Sequence, residues 1–284
     1  MSDFFKIDSR LLELAEKAEA DCQKPFARIS EIETYNNEKV LRAFIDNRVS
    51  ESLFAGSSGY GYDDRGREIL DQVWSQIFGT EDSMVRHNFM SGTHAIATAL
   101  FGVLRPGDKM VSLTGTPYDT LNGVIHGEGV GSLKEFGVIY DELPLLSDGS
   151  VDYEKIPEAV KGAKMAYIQR SRGYSTRPSL TIDVIKKIFD IVHEANPSAV
   201  CVCDNCYGEF VDKLEPTQVG ADLIIGSLIK NPGGGLAPIG GYICGTKECV
   251  ERCAYRLSAP GLGQEVGANL GLMPSLYQGF FLSP

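Results

Sequence analysis

The sequence has one tryptophan, four histidines and no apolar run near the ~18 residues that a membrane-spanning helix needs. Its opening, MSDFFKIDSR, lacks the basic n-region and the long apolar h-region of a secretory signal. A cytoplasmic location without membrane contact is the expectation. Basic residues are also scarce: 27 Lys and Arg face 38 Asp and Glu, a net charge of −11, and no basic patch interrupts that balance. Such a surface repels phosphate backbones, so nucleic acid is excluded as a partner. Cysteine is odd in number, seven, and Cys201, Cys203, Cys206, Cys244, Cys249 and Cys253 crowd the last third of the chain. A disulfide framework would spread them, so reduced thiols are expected. There is no internal repeat and no low-complexity tract.

What is present suits a globular protein of one large or two modest domains: 284 residues, 43% of them hydrophobic. Residues 8–22 and 36–48 carry apolar side chains at helical spacing and form an N-terminal helical arm over residues 1–50. A Gly, Ser and Tyr loop, FAGSSGYGYDDRG, leads into a third helical pattern through Ile69, Leu70, Val73 and Ile77, closed by Gly79. Short apolar runs then alternate with helices: a run around Met84 to Met90, then 109–113, 137–140, 164–169, 199–203, 222–226 and 240–245. Amphipathic helices follow Thr93 and Thr181. Runs without internal polar alternation, separated by helices, predict a three-layer α/β/α sandwich with a mostly parallel sheet.

In such sheets ligands bind outside the carboxyl ends of the strands. The residues there are chemically coherent: Ser91, Gly92 and Thr93 open a helix, Tyr118 lies beyond the 109–113 run, Asp204 follows AVCVC, and Ser227 and Lys230 follow DLIIG. A lysine in apolar surroundings is expected to lose ammonium stability by desolvation, leaving an amine able to condense with an aldehyde. Pyridoxal phosphate needs that amine, a carboxylate for its pyridine nitrogen, an anion site and an aromatic face. Asp204 suits the nitrogen and Tyr118 the ring. The helix start at Ser91-Gly92-Thr93, with Ser227, suits the phosphate. Glycines 233–235 would let the chain pass close to the cofactor. His94 is a minor phosphate candidate; His87, His126 and His193 read as solvated or packed, and the acidic YDD at 62–64 as a solvated loop.

The segments MSGTHAIATALFGVLRPGD, GTPYDTL, VCDNCYGEF and GSLIKNPGGGLAPIGGYICG resemble the pyridoxal-phosphate enzymes of fold type I, in the cystathionine and methionine lyase group. The nearest branch is the methionine gamma-lyase family, also described as aluminium resistance proteins. The resemblance spans about residues 50–284. It implies Lys230 as the Schiff-base lysine, Asp204 as the pyridine-nitrogen partner, Tyr118 as the stacking ring, and Ser91, Gly92, Thr93 and Ser227 as phosphate ligands. It also implies phosphate contacts from a neighbouring subunit of a dimer or tetramer, for which Tyr60, Tyr62 and Arg65 are candidates, and places Ser171 or Arg172 beside the ring hydroxyl. The implied reaction is β- or γ-elimination from a sulfur-containing amino acid. Residues 51–265 would form the large cofactor-binding domain and 266–284 the start of a connection to a C-terminal domain that the chain lacks. In the group that domain carries the arginine for the substrate carboxylate.

Three other readings compete. Ser227-Leu228-Ile229-Lys230 matches the S-x-x-K of serine-lysine hydrolases, without their companion motifs. Cys203 and Cys206 form a C-x-x-C, without a second pair at zinc spacing. Cys201 and Cys203, in alternate strand positions, read more simply as small core residues. A cofactor-binding homologue without turnover is the third.

Overall fold

The computed structural model describes residues 4–284, so the first three residues of the predicted arm lie outside the described residues. The arm comprises α1 (Ser9–Asp21) and α2 (Gln23–Asp46), separated at Cys22. Residues 23–35, outside the two sequence-predicted helices, are therefore helical. Pro25 sits in the first turn of α2, where an amide has no intrahelical partner and its loss costs nothing.

Helix α3 (Arg65–Phe78) is capped by the Asp64 carboxylate, which accepts the Arg67 amide, and closed by Gly79 in the left-handed conformation. After it come β1 (Asp82–Arg86), α4 (Gly92–Val103), β2 (Lys109–Ser112), α5 (Asp119–His126) and β3 (Ile139–Glu142). The chain continues through α6 (Ile156–Ala159), β4 (Met165–Gln169), α7 (Ile182–Ala195), β5 (Val200–Asp204) and β6 (Leu223–Ser227). It ends with β7 (Gly241–Gly245), α8 (Lys247–Leu257) and α9 (Met273–Phe281).

The seven strands form one sheet in the order β1-β7-β6-β5-β4-β2-β3. Strand β7 runs antiparallel to both neighbours and the remaining pairings are parallel. The predicted mostly parallel α/β sandwich is thus the observed fold. Strands β4, β6 and β7 are buried at every position, as two helical layers require. Strand β3 starts two residues later than predicted and alternates between exposed and half-buried side chains, because it is the edge strand and has one covered face. The run expected up to Met90 pairs only as far as Arg86 and then turns toward α4.

Alternate residues of each strand feed two cores. Val111, Ala166, Cys201, Cys203 and Ile224 face one, with α3 and α7; Met110, Tyr167, Val202 and Ile225 face the other, with α4 and α8. Cys201 and Cys203 are core residues on a shared face, as the alternation predicts, and all seven cysteines are free thiols. Phe280 of α9 stacks on Trp74 at 4.0 Å between ring centroids and is fully buried, so the last helix packs back onto α3. No described helix is long and apolar enough to cross a membrane.

Candidate active site

The parallel register sets the site. Gln169 ends β4 directly beside Asp204 at the end of β5, and Asp204 pairs in turn with Ile225 of β6, two residues before Ser227. Lys230 follows β6 after one turn. A cavity of about 500 Å³ opens over these strand ends and is lined by Lys230, Asp204, Ser227 and Tyr118 together with the 91–93 helix start. Sequence positions spread over 140 residues therefore meet in one cleft.

Each part has a local cause. Ser91 caps α4, its hydroxyl accepting the His94 amide at 3.1 Å, which leaves the outward amides of Gly92 and Thr93 free to meet an anion. Gly92 faces Ser227 and Cys206: a Cβ there would stand 3.3 Å from Ser227 Cβ and 3.4 Å from Cys206 Sγ. Ser227 is fully buried and its hydroxyl has no hydrogen-bond partner among the described residues. A buried hydroxyl without a partner costs free energy, which an acceptor placed beside that glycine would relieve. The Thr93 hydroxyl bonds the Tyr118 phenol at 3.0 Å and Thr120 at 3.1 Å. Burial pushes the Tyr118 phenol well above its usual range, so it stays protonated and able to donate a hydrogen bond.

Asp204 is 2% exposed, and its Oδ1 accepts the Cys206 amide at 3.0 Å. Burial raises its carboxyl above the ordinary range, opposed by the Cys206 amide and Lys230. A cationic partner in the cleft would relieve that desolvation. The Lys230 amine lies 4.1 Å from the Tyr207 ring centroid and is half-buried. Its ionisation corrects the sequence-based expectation. Burial does pull it down, but Cys206, Tyr207 and Asp204 outweigh burial and hold the ammonium above its ordinary value. The unliganded lysine is therefore a stabilised cation, and it becomes a nucleophile only as that cation is discharged.

Three other expectations change. His94 does not line the cavity; its Nδ1 accepts the Met90 amide at 3.2 Å and tightens the turn before α4. Glycines 233 and 234 face protein backbone instead of the cleft, since a Cβ at Gly233 would overlap the Leu228 carbonyl and one at Gly234 the Gly279 carbonyl. Asp64 of the YDD loop is buried, bonded by Ser57, the Arg67 amide and Asn269. Tyr62 and Tyr60 are exposed, tilted against each other at 5.8 Å, and line no cavity with Lys230 of the same chain; Arg65 is exposed beside them.

The rival motifs do not assemble. The Ser227 hydroxyl makes no bond to Lys230, whose amine sits over Tyr207. Cys203 enters a core while Cys206 lines the cleft. Sequence reasoning missed Cys206, Tyr207 and Gln169. Tyr207 has a left-handed φ of 66°, an unusual state for an aromatic residue. The Gln169 side chain accepts the Tyr118 amide at 3.0 Å and donates to the Ser171 carbonyl at 3.1 Å, joining opposite walls. Ser171 and Arg172 both line the cleft, and Arg172 also borders a second cavity of about 520 Å³.

The family is decided by comparison with known proteins: the methionine gamma-lyase model matches residues 11–284. The chain belongs to the methionine gamma-lyase family. Within the family it is similar to the uncharacterized protein YnbB of Bacillus subtilis, at 48% identity over 96% of this chain and 66% of that protein. It is also similar to a crystal structure described as a carbon-sulfur lyase involved in aluminum resistance from Clostridium novyi. That likeness has a TM-score of 0.94 and 48% identity over 98% of this chain and 67% of the other. The pyridoxal-5'-phosphate dependent protein YhfS of Escherichia coli shares the fold alone, with a TM-score of 0.66 and 16% identity over 90% of this chain and 64% of the other. The chain thus spans just under two thirds of YnbB.

The loop that follows Asp204 carries a buried acid, Glu209, whose Oε1 accepts the Tyr242 phenol at 2.6 Å while Oε2 has no partner among the described residues. Burial lifts its carboxyl from 4.5 to about 8. The folded chain then keeps a proton that the unfolded chain has released, so stability falls as pH rises from about 4.5 to about 8. Glu209→Gln is expected to flatten that slope, by up to a few kcal/mol across the window. Urea denaturation at pH 5 and pH 8.5 reads it; equal slopes in both proteins would refute the assignment.

Proposed function

We propose that the chain binds pyridoxal phosphate in the Lys230 cleft and acts as a carbon-sulfur lyase on a sulfur-containing amino acid. The observation that carries this reading is the unpartnered Ser227 hydroxyl beside Gly92 at the α4 start, in the same cleft as Lys230 and Asp204. Those residues fit the group: an anion cradle, an amine, a buried carboxylate and an aromatic ring, each held by separate elements.

Bound there, pyridoxal phosphate supplies an electron sink for the carbanion left when the substrate α-carbon loses its proton. The chain's residues do the rest. The Gly92 and Thr93 amides and the Ser227 hydroxyl hold the phosphate; Ser91 keeps the helix start in place. The Asp204 carboxylate keeps the ring nitrogen protonated, and the Tyr118 ring covers one face. Lys230 Nζ would accept the α-proton and deliver a proton to the departing sulfur, which leaves as a thiol with the electron pair of the broken carbon-sulfur bond. Ser171 or Arg172 reaches the ring hydroxyl. The exposed Tyr62, with Tyr60 and Arg65, reaches the phosphate of a second copy in a homo-oligomer. Asp64 and Arg67 support this by bracing the loop, Arg67 donating to the Gly61 carbonyl at 2.9 Å.

The test is absorbance of the purified chain with added pyridoxal phosphate, borohydride reduction, and peptide mapping. A visible band and a label on Lys230 support binding. Release of thiol and keto acid from methionine or cystathionine supports lyase turnover, and a band without release leaves a binding protein. A colourless protein labelled at Ser227 by an acylating probe would overturn the reading. Gly92→Ala tests the cradle separately: the added Cβ would press on the Ser227 Cβ at 3.3 Å and the Cys206 Sγ at 3.4 Å and so disturb the hydroxyl that the reading gives to the phosphate. Cofactor affinity is expected to fall about tenfold or more, equivalent to ~1.4 kcal/mol. Unchanged affinity in a fluorescence titration would exclude that cradle.

A further inference from the structure

His193, Cys201 and Asp222 converge at the end of the sheet opposite Lys230. Cys201 lies near the start of β5 and Asp204 at its end, about 10 Å further along the strand. Asp222 immediately precedes β6, and its Oδ2 accepts the Cys201 amide at 2.7 Å. His193 is in the last turn of α7, against Gly220, where a Cβ would come within 3.4 Å of the imidazole Cε1. One ligand atom from each residue, an imidazole nitrogen, the thiol sulfur and a carboxylate oxygen, lies within 4.8 Å of the other two. Cys201 is fully buried and in no disulfide, whereas His193 and Asp222 are half-buried, so the group has a dry sulfur floor and a rim that solvent reaches.

We propose that His193, Cys201 and Asp222 bind a divalent transition-metal ion of the zinc type, with water as the fourth ligand. Nitrogen, sulfur and oxygen together form a borderline-soft set, which suits zinc or cobalt(II) and not magnesium or calcium. Metal-ligand bonds of ~2.0–2.3 Å in a tetrahedron separate the ligand atoms by roughly 3.3–3.6 Å. Side-chain rotation of His193 or Asp222 closes the remaining gap. On binding, the thiol gives its proton to solvent and the sulfur keeps the electron pair, so affinity rises with pH. The ion would clip the end of α7 to the starts of β5 and β6, remote from the cofactor cleft.

The full chain, treated with chelator and free of pyridoxal phosphate, is titrated with cobalt(II). The proposal expects one equivalent bound, a thiolate-to-cobalt charge-transfer band in the near ultraviolet, displacement by zinc, and a higher melting temperature with zinc. His193→Gln is expected to weaken binding about tenfold or more, and Cys201→Ala to remove the charge-transfer band. No band in the wild type, a band that survives Cys201→Ala, or unaltered affinity in His193→Gln would each overturn it. Should Cys201→Ala fail to fold, His193→Gln, at a half-exposed helix end, decides alone. Omitting the cofactor keeps this result independent of the lyase reading.

Discussion

Lys230→Ala is expected to give a folded protein that shows no visible band with pyridoxal phosphate and takes up no borohydride label. The amine sits over Tyr207 within reach of the Asp204 field, and no other lysine lines the cleft, so nothing substitutes for it. The phosphate cradle and Asp204 remain, so weak reversible binding is expected to persist while the covalent link is lost. If the chain turns over substrate, loss of the group that moves the α-proton lowers the rate by ~10²–10⁴-fold. Absorbance and keto-acid release measure the two effects separately. A band of wild-type intensity in Lys230→Ala would end the assignment. Because the free ammonium is held above its ordinary value, covalent uptake of the cofactor by the wild type is expected to quicken as pH rises.

Arg170→Met is expected to be the most destabilising single change outside the hydrophobic cores, by ~3–5 kcal/mol. Arg170 is 2% exposed and donates to Asn205 at 2.9 Å, the Gly208 carbonyl at 2.7 Å and Asp212 at 3.0 Å, with Glu215 at 3.5 Å. Glu215 is fully buried and bonded to the Phe210 amide and Asn205, so removing the guanidinium takes away its strongest cation and leaves only Lys39 acting on it. These contacts brace the loop that begins at Asp204 and carries Tyr207, so cofactor affinity is expected to fall with stability. Urea denaturation measures the first and titration the second. Arg170→Met combined with Glu215→Gln is expected to regain part of the loss, because the second change removes the stranded charge. A loss below ~1 kcal/mol in the single variant would show that solvent reaches the loop.

Much of this protein is legible along the chain. The apolar runs with helices between them imply buried parallel strands, and strand-end chemistry singles out Asp204, Ser227 and Lys230 because a charge or hydroxyl there needs a ligand more than a core. The helix read as following Thr181 is capped by it, whereas the helix read as following Thr93 starts at Gly92 and is capped by Ser91. The edge position of β3 is not legible, since four apolar or mixed residues look alike at an edge and in the middle of a sheet. The burial of Asp64 and the clustering of His193 with Cys201 and Asp222 are equally hidden. The cluster joins residues 8 to 29 apart, and Asp64 is held by Asn269, 205 residues away.

Local sequence by itself determined the sheet-and-helix alternation, the caps, and which residue types stand at the carboxyl ends, because periodicity and capping act over a few residues. Tertiary structure alone decided that the Lys230 ammonium is held above its ordinary value, that Gly233 and Gly234 pack on backbone, and that Arg170 braces the loop behind Asp204. Those outcomes depend on desolvation and on charges brought near from distant segments, and neither is set until the sheet has closed.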